Sequence, residues 1–447
     1  MEKIKLRIST FQIILLGFML VIAVGAILLS LPAASKKGEG LRVMDAVFTS
    51  TSAVCVTGLV VHDTATYWSS FGQAVIAVLI QIGGMGVVTV AIAIVMLTGG
   101  KIGIMQRSTL QESIAAPKVG GIVRFIGFIL RTMVIIELIG AAVMAPVFVA
   151  RFGVKRGLFY SLFHSVSAFC NAGFDLMGSE GEFSSLTAFT SQPLINITVM
   201  LLIIFGGLGF LTWDDIRTNK IHFKSYRMQS KVIIIYTFAL IILPALYFFF
   251  VEFSRQRWSG LSEDERVYAS LFQAVAPRTA GFNTVDMFKL SDVGQAMTII
   301  LMLIGGSPGS TAGGMKTTTV AVLLASAVSV FRHREDPQCF GRRIEGAAVR
   351  NAAAIFTIYI VLFLAGGFII SEIEGLPLGT CLFETASAIG TVGLTLGITP
   401  ELGFFSRVIL ILLMILGRVG GLTFVFATVS GRGMGYSRYP QEKITVG

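Results

Sequence analysis

The chain has 447 residues, of which 54% are hydrophobic and only 13% are charged. Soluble domains are about 25% charged, so this composition excludes a disordered chain, a collagen or coiled-coil rod, and nearly every soluble enzyme of this length. The net charge is +10. In a soluble protein that surplus would indicate nucleic-acid binding. The positions of the basic residues along the chain determine whether that interpretation applies here.

Long apolar runs alternate along the chain with short ones. A run of about 20 residues can cross a membrane, whereas one of 10–15 residues is too short and is typical of re-entrant segments. We therefore predict an all-α polytopic membrane protein with eight transmembrane helices and four re-entrant pore helices. The long runs fall at about 11–31, 71–97, 122–150, 194–213, 230–253, 295–331 (interrupted), 351–370 and 405–429, and the short ones near 43–57, 158–172, 266–280 and 378–392.

Basic residues predict the orientation of these spans. The two terminal segments and the three connections on their side of the membrane hold 20 Lys and Arg, and the four opposite segments hold 12. The positive-inside rule therefore predicts that both termini are cytoplasmic. Most acidic residues fall on the external side, where they would form either a cation-concentrating vestibule or an ordinary solvated face.

The four short runs are versions of one motif. Each begins with Phe and ends in Gly followed by Leu or Phe, and each has Ala five residues before that Gly. Repeats of this kind indicate one structural unit used several times. The four copies read FTSTSAVCVTGL (48–59), FHSVSAFCNAGF (163–174), FQAVAPRTAGF (272–282) and FETASAIGTVGL (383–394).

A second motif follows each copy at a similar distance. The next long run carries IGGMG (82–86), FGGLG (205–209), IGGSPG (304–309) or LGRVG (416–420). The unit is therefore a span, a short re-entrant helix, an x-x-Gly turn and a second span. We predict one membrane domain over 1–447, with repeats at about 11–97, 122–213, 230–331 and 351–429 and a cytoplasmic C-terminal tail at 430–447.

The repeated turn has a specific physical use. Non-helical backbone is tolerated at membrane depth only where protein or a water-filled cavity satisfies it. Four such turns around one central pore would aim their carbonyl oxygens inward, and a ring of carbonyls can replace the hydration shell of a cation. Gly permits the required φ values and the close approach of backbones. Each pore helix would also point its partially negative C-terminal end at the ion.

This arrangement resembles the Trk/Ktr/HKT superfamily of cation transporters over nearly the whole chain, and it is most similar to bacterial KtrB-type potassium uptake membrane subunits. In that family, Gly at all four turns accompanies potassium selectivity, while Ser in the first repeat marks sodium-preferring plant members. The resemblance therefore implies a potassium-translocating pore subunit, with potassium as the only metal bound. A sodium-permeable or sodium-coupled (symport) transporter is the alternative. The implied selectivity filter comprises Val56, Thr57, Gly58, Asn171, Ala172, Gly173, Thr279, Ala280, Gly281, Thr391, Val392 and Gly393.

The sixth run is interrupted by GGSPGSTAGGMKTT (305–318), which cannot hold a continuous helix. A phosphate-binding P-loop requires adjacent Gly and Lys, and Met315 separates them here, so we exclude nucleotide binding at this segment. The resemblance implies an intramembrane gate below the filter, to which Arg418 in the last span contributes a cation on the pore axis. The gate residues are Gly305, Gly306, Ser307, Gly309, Ser310, Thr311, Ala312, Gly313, Gly314, Lys316 and Arg418.

Several further polar residues lie within or beside the apolar runs. Lys316 either contributes to the gate or extends to the cytoplasmic interface. We expect Arg278 to brace its turn against an acid such as Glu384. His164 is expected to pack on its pore helix, and Cys55 and Cys170 are expected to pack behind the filter. The sequence suggests no role for Arg131 or Glu137.

The resemblance also implies partners. Ktr-type subunits are homodimers on a cytosolic ring of nucleotide-binding regulatory subunits (KtrA type), so no cofactor is expected in this chain, and nucleic acid is not a partner. The expected location is the bacterial inner membrane. Two other classes were weighed. A secondary transporter would pair its repeats as inverted halves, whereas these four share one topology, and a membrane enzyme would need a cluster of catalytic or metal-binding side chains, whereas the four His lie far apart in sequence.

Overall fold

The computed structural model describes residues 9–38, 40, 42–98, 103–113 and 121–420. Four helices are long and apolar enough to cross a membrane, and each opens one repeat: α1 (Thr10–Ser30), α6 (Ile122–Phe152), α10 (Met228–Tyr247, continued as a π-helix over Phe248–Glu252) and α14 (Gly346–Glu374). The α1 helix begins with a capping box, in which Ser9 and Gln12 satisfy each other's backbone N–H groups.

A short helix follows each opening helix and packs against it. The four are α2 (Val43–Val54), α7 (Val154–Phe169), α11 (Glu263–Val275) and α15 (Leu378–Gly390). Three residues (276–278) separate α11 from its turn, whereas α2, α7 and α15 end within one residue of theirs, as the sequence predicts. The helices end there because the backbone becomes left-handed, and the N–H of the middle turn residue then bonds back to the helix, as Thr57 does to the carbonyl oxygen of Ser52 at 2.8 Å.

The second half of the repeat is broken in the first three copies. The pairs α3 (Ser70–Met85) with α4 (Val87–Leu97) and α8 (Pro193–Gly207) with α9 (Phe210–Asn219) bend by 96° and 97°. In the third repeat, residues 304–316 separate α12 (Asp292–Leu303) from α13 (Thr317–Phe331). In the fourth, α16 (Phe404–Val419) ends at Gly420, and the predicted tail at 430–447 lies outside the described residues.

The two runs predicted as spans over 71–97 and 194–213 are therefore each bent. Both bends occur at the last Gly of the second motif, Gly86 and Gly209, which take φ values of +83° and +88°. These values lie in the left-handed region that Gly adopts without strain. By length and composition, four helices within the described residues can cross a membrane, or six if each bent pair counts as one span, so the count of eight spans stays a prediction.

Two small elements complete the described chain. Helix α5 (Ile104–Ser113) precedes the second repeat, and a hairpin of β1 (Gln338–Cys339) and β2 (Arg342–Arg343) connects α13 to α14. The hairpin is an exception to the all-α prediction. Its turn residues, Phe340 and Gly341, have positive φ values of +49° and +73°, which suit a tight two-residue hairpin turn.

Candidate ion pathway

The four x-x-Gly turns share one backbone conformation. In every copy the first and third residues have positive φ and the middle residue does not. This alternation turns successive carbonyl groups toward the same side of the strand. The first residues are Val56 (+50°), Asn171 (+58°), Thr279 (+71°) and Thr391 (+50°), and the third are Gly58 (+91°), Gly173 (+71°), Gly281 (+75°) and Gly393 (+94°).

The four turns meet in a closed ring. A Cβ placed on Gly173 would lie 2.8 Å from the carbonyl oxygen of Ala280 and 2.9 Å from the Cα of Gly281, closer than real Cβ atoms approach. Each of the other three glycines faces its neighbour in the same way. Gly58 faces the carbonyl of Ala172, Gly281 that of Val392, and Gly393 that of Thr57. The order of repeats around the ring is thus one, two, three, four, and back to one.

Serine side chains support three of the turns from behind. Ser52 and Ser387 accept hydrogen bonds from the N–H groups of Gly58 (3.0 Å) and Gly393 (2.9 Å). Ser167 donates to the carbonyl of Phe174 at 2.7 Å. The third copy, which is one residue shorter, has Val275 six residues before its Gly, where the other three have Ser. Its turn is closed by backbone bonds from Ala280 and Gly281 to the Ala276 carbonyl.

Residues 304–316, here called the intramembrane loop, lie against the turns of repeats two and four. The Thr311 hydroxyl donates to the carbonyl of Phe169 and is within 3.0 Å of Asn171 Oδ1. Gly313 packs against the Thr391 side chain so closely that a Cβ there would lie 3.1 Å from the Cβ of Thr391. The loop therefore contacts the first residue of two turns.

Arg418 links the intramembrane loop to the first repeat. Its guanidinium donates to the carbonyl of Thr311 on one side and to the carbonyls of Gly83 and Gly84 on the other, the last at 3.1 Å. Because carbonyls are neutral, these bonds position the cation without cancelling its charge. The side chain thus presents a positive charge where α3, α16 and the loop meet.

Lys316 bonds within the loop itself. Its Nζ donates to the carbonyl oxygens of Ala312 at 2.8 Å and Gly313 at 3.3 Å. Of the two alternatives left by the sequence, the structure has Lys316 turned toward the loop. Its amine and the Arg418 guanidinium both line a cavity of about 270 Å³, together with Gly309 and Gly314.

Backbone bonds attach the same loop to its neighbours. Ser307 and Thr311 donate their N–H groups to the carbonyls of Gly207 (3.0 Å) and Gly206 (3.2 Å). Gly314 donates to Gly417 at 3.1 Å, and the first residue of α9, Phe210, donates to Gly309 at 2.7 Å. The loop is therefore bonded to the broken helices of the second repeat and to α16 of the fourth.

Comparison with known proteins identifies the family. The profile of the TrkH family, described as a cation transport protein, matches residues 3–433. The chain belongs to the TrkH family. It is 38% identical to the potassium/sodium uptake protein NtpJ of Enterococcus hirae over 100% of this chain and 99% of that protein. It is also 38% identical to the Ktr system potassium uptake protein B of Bacillus subtilis, covering 99% and 97% of the two chains.

A solved structure agrees with the architecture. The crystal structure of the potassium transporter TrkH from Vibrio parahaemolyticus superposes with a TM-score of 0.74 at 19% identity, covering 96% of this chain and 86% of that one. This likeness establishes the fold. Membership of the TrkH family confirms the predicted superfamily and confirms a transporter rather than an enzyme, so the chain is a multi-pass membrane protein.

The first Gly of the second motif packs on the end of the pore helix in three repeats of this TrkH-family protein. Gly83, Gly206 and Gly417 face the carbonyl oxygens of Val54, Phe169 and Ile389. A side chain at any of these positions would push the helix away from the ring. The motif therefore combines a close-packing Gly with a helix-breaking one in repeats one and two.

Glu137, for which the sequence suggests no role, lies behind the second turn. It is 5% exposed and accepts hydrogen bonds from Gln81 Nε2 at 3.1 and 3.3 Å. The thiol of Cys170, directly before the second turn, is 3.9 Å from the Glu137 carboxylate. Gln81 is one helical turn or less from Gly83 and Gly84, so a buried acid on α6 braces both the second turn and the broken helix of the first repeat.

The expected Arg278–Glu384 pair is wrong. Glu384 accepts hydrogen bonds from Thr395 and Thr399, and among the described residues Arg278 forms no ion pair. The short neutral hydroxyls satisfy the acid from its own repeat, which leaves no need for the distant cation. His164 does pack on its pore helix as expected. It is fully buried, bonds to the Tyr160 carbonyl at 2.7 Å and accepts the Leu176 N–H at 3.2 Å.

Proposed function

We propose that this protein is the potassium-translocating membrane subunit of a bacterial potassium uptake system. The observation that carries the proposal is the closed ring of four glycine turns, in which every first and third residue is left-handed. A fixed ring of carbonyls can replace the water around a bare cation. Potassium as the transported ion is further supported by the names of the Enterococcus and Bacillus relatives.

In this mechanism the ion contacts backbone oxygens only. The filter comprises the four triplets 56–58, 171–173, 279–281 and 391–393. The sequence at all four third positions is Gly, which supports potassium over the sodium-preferring alternative. A Ser at one of these positions would introduce a Cβ at the carbonyl of the neighbouring repeat and widen or distort the ring.

We propose further that the intramembrane loop is the gate. Its contact with Asn171 and Thr391 supports a position directly below the ring. Arg418 would oppose cation passage by charge and hold the loop through the Thr311 carbonyl. Ions would pass when the loop leaves these carbonyls, and the small residues of the loop suit such a movement.

The remaining parts of the proposal follow from the sequence and the relatives. Eight spans would place both termini in the cytoplasm of a bacterial cell. The protein would act as a homodimer, and a separate cytosolic nucleotide-binding ring would regulate it, as expected of Ktr-type systems. Nucleotide would then bind to the regulator, and potassium would be the only ion held by this chain.

Ion flux into vesicles tests the proposed filter. The purified chain is reconstituted, and uptake of potassium and of sodium is measured for the wild type and for Gly393→Ser. Gly393 has a φ of +94°, and a Cβ added there would lie 2.9 Å from the Cα of Gly58. We expect the preference for potassium over sodium to fall by about tenfold or more, because the ring can no longer close at its original radius.

Gly379→Ser is the matched control. Gly379 lies on the pore helix of the same repeat, and no heavy atom lies within 4 Å of a Cβ added there. Its potassium preference should match the wild type. Unchanged selectivity in Gly393→Ser, in a variant that reconstitutes as well as the control, would exclude this ring as the filter.

A further inference from the structure

Four arginines that the ion pathway does not use line one cavity. Arg107 lies on α5, Arg124 and Arg131 on α6, and Arg217 on α9, around a volume of about 910 Å³. Over the described part of the chain, none of the four has an Asp or Glu oxygen within 4.0 Å. Four cations without carboxylate partners around one space repel each other, so the arrangement favours an anion between them.

The sequence of α6 builds this cavity on one helical face. Arg124, Gly127, Phe128 and Arg131 follow the i, i+3, i+4, i+7 spacing that aligns side chains on one side of a helix. Gly127 leaves space on the α6 side of the cavity, because no heavy atom lies within 4 Å of a Cβ added there. Phe128 forms an apolar wall, and the guanidinium of Arg217 lies over its ring at 4.8 Å from the centroid.

The other walls are apolar. Met96, Ile122 and Val123 also line the cavity, so cationic groups and hydrocarbon surfaces face the same space. A small inorganic anion would use only the arginines and leave this hydrocarbon wet. An amphipathic anion uses both, since its phosphate meets the guanidinium groups and its chain covers the apolar wall.

The position of the cavity in the fold is consistent with binding of a membrane lipid. It lies at the beginning of α6, a helix long enough to span the membrane, and it includes Met96 near the end of α4. The proposed orientation puts this end on the cytoplasmic side. Basic pockets between transmembrane helices on that side are typical sites for anionic lipid headgroups.

We propose that this cavity binds an anionic phospholipid of the inner leaflet. The headgroup phosphate lies among the four arginines, and one acyl chain follows Phe128 along α6. The bound lipid joins α6 and α9 of the second repeat to α5, which lies in the segment between the first two repeats. Because the first residue of α9, Phe210, donates to Gly309 of the intramembrane loop, the site also adjoins the proposed gate.

Lipid binding to the purified full chain in detergent tests the proposal. The probe is a short-chain phosphatidylglycerol, compared with the matching phosphatidylcholine, and bound lipid is counted by native mass spectrometry. The double variant Arg124→Gln/Arg131→Gln should bind phosphatidylglycerol about tenfold more weakly than the wild type, because each basic residue near a membrane surface strengthens binding to anionic lipid. The wild type should discriminate against phosphatidylcholine.

The control variant is Arg332→Gln/Arg350→Gln, which removes two exposed arginines outside the cavity. It should bind phosphatidylglycerol as the wild type does. If both double variants bind equally, the cavity is not the lipid site. If phosphatidylcholine binds as tightly as phosphatidylglycerol, the arginines do not select the ligand, and if millimolar inorganic phosphate displaces the lipid completely, the site is one for free phosphate. Each of these results overturns the proposal.

A second variant guards against misfolding of the charge mutant. Gly127→Leu keeps all four arginines and places a side chain in the space on the α6 side of the cavity. Leu also has a higher helix propensity than Gly, so α6 should remain helical. We expect it to bind phosphatidylglycerol several-fold more weakly while remaining monodisperse. Full lipid binding by Gly127→Leu would exclude this cavity even if the charge mutant failed to fold.

Discussion

The glycine ring and the intramembrane loop lie next to each other but are held by different forces. The ring depends on backbone conformation and on the absence of side chains, since each Gly abuts the next repeat. The loop depends on hydrogen bonds to carbonyl oxygens, donated by the side chains of Arg418, Lys316 and Thr311 and by backbone N–H groups. The ring therefore has one packing solution, whereas the loop is held by a few hydrogen bonds that can break separately.

This difference separates two tasks. A filter has to keep one radius, because selectivity depends on the fit of carbonyls around the ion. A gate has to exchange between two arrangements of similar free energy. Hydrogen bonds to charged groups contribute about 1.5–3 kcal/mol each, so releasing the loop from Arg418 and Lys316 has a moderate energetic cost. The ring is fixed in addition by the contact of each Gly with the next repeat.

The largest expected effect comes from Gly281→Ala, in the ring. Gly281 has a φ of +75°, and an added Cβ would lie 3.1 Å from the Cα of Gly173 and 3.2 Å from that of Gly393. We expect potassium preference over sodium to fall by about tenfold or more, as measured by vesicle flux. The control is Gly260→Ala in the same repeat, where nothing lies within 4 Å of the new atom. Retained preference in Gly281→Ala would contradict the idea of a ring fixed by backbone contacts.

Arg418→Gln should have the next largest effect, and in the opposite direction. The variant loses the cation and its bonds to Thr311, Gly83 and Gly84. Loss of about 1.5–3 kcal/mol of loop stabilisation corresponds to roughly a tenfold or greater increase in potassium uptake at unchanged selectivity. The control Arg332→Gln makes the same substitution at an exposed arginine and should leave potassium uptake unchanged. A lower uptake in Arg418→Gln would mean that this cation assists ion passage.

Thr311→Val should give a smaller increase. Valine has nearly the same shape but cannot donate to the Phe169 carbonyl or approach Asn171 Oδ1 as a donor. A neutral hydrogen bond contributes about 1 kcal/mol, so potassium uptake should rise by about fivefold. Thr311→Ser retains the hydroxyl and should behave as the wild type. Equal uptake in the Val and Ser variants would show that this hydroxyl does not hold the loop.

Glu137→Gln should have the smallest effect on transport, since Gln preserves an acceptor for Gln81. Glu137→Leu leaves the Gln81 amide without that partner in a buried site. We expect the Leu variant to lose about 1–3 kcal/mol of stability, observed as a lower midpoint of thermal unfolding in detergent, while the Gln variant unfolds near the wild-type temperature. Equal midpoints for the two variants would remove Glu137 as a brace of the second turn.

Much of the architecture could be predicted because the repeats encode it locally. An apolar run of 10–15 residues followed by x-x-Gly indicates a re-entrant helix and a turn in each copy. Four matched copies indicate a ring. The order around that ring could be anticipated from the chain order, and the interruption at 305–318 is evident from its Gly and Pro content.

Other features depend on contacts between distant segments and gave no local signal. The last Gly of the second motif bends two helices, but in sequence Gly86 and Gly209 look like ordinary packing residues. Glu137 contacts Gln81 of α3, and Arg131 lines a cavity together with Arg217 of α9. The spacing of residues within α6 does not reveal either neighbour. The prediction that Arg278 pairs with Glu384 was wrong, because two threonines of the fourth repeat, to which Glu384 belongs, already donate hydrogen bonds to its carboxylate.

The junction of the first and fourth repeats has a consequence for biosynthesis. Arg418 bonds to Gly83, 335 residues earlier in the chain, and Gly393 closes the ring against Thr57. The repeats are synthesised in order, so the first three are inserted into the membrane before the fourth exists. Until then, the surfaces of the first and third repeats that contact the fourth are uncovered. Contacts between such distant segments form late and slowly. A nascent chain cut before the fourth repeat should therefore be a target for membrane quality control, however well its own helices insert.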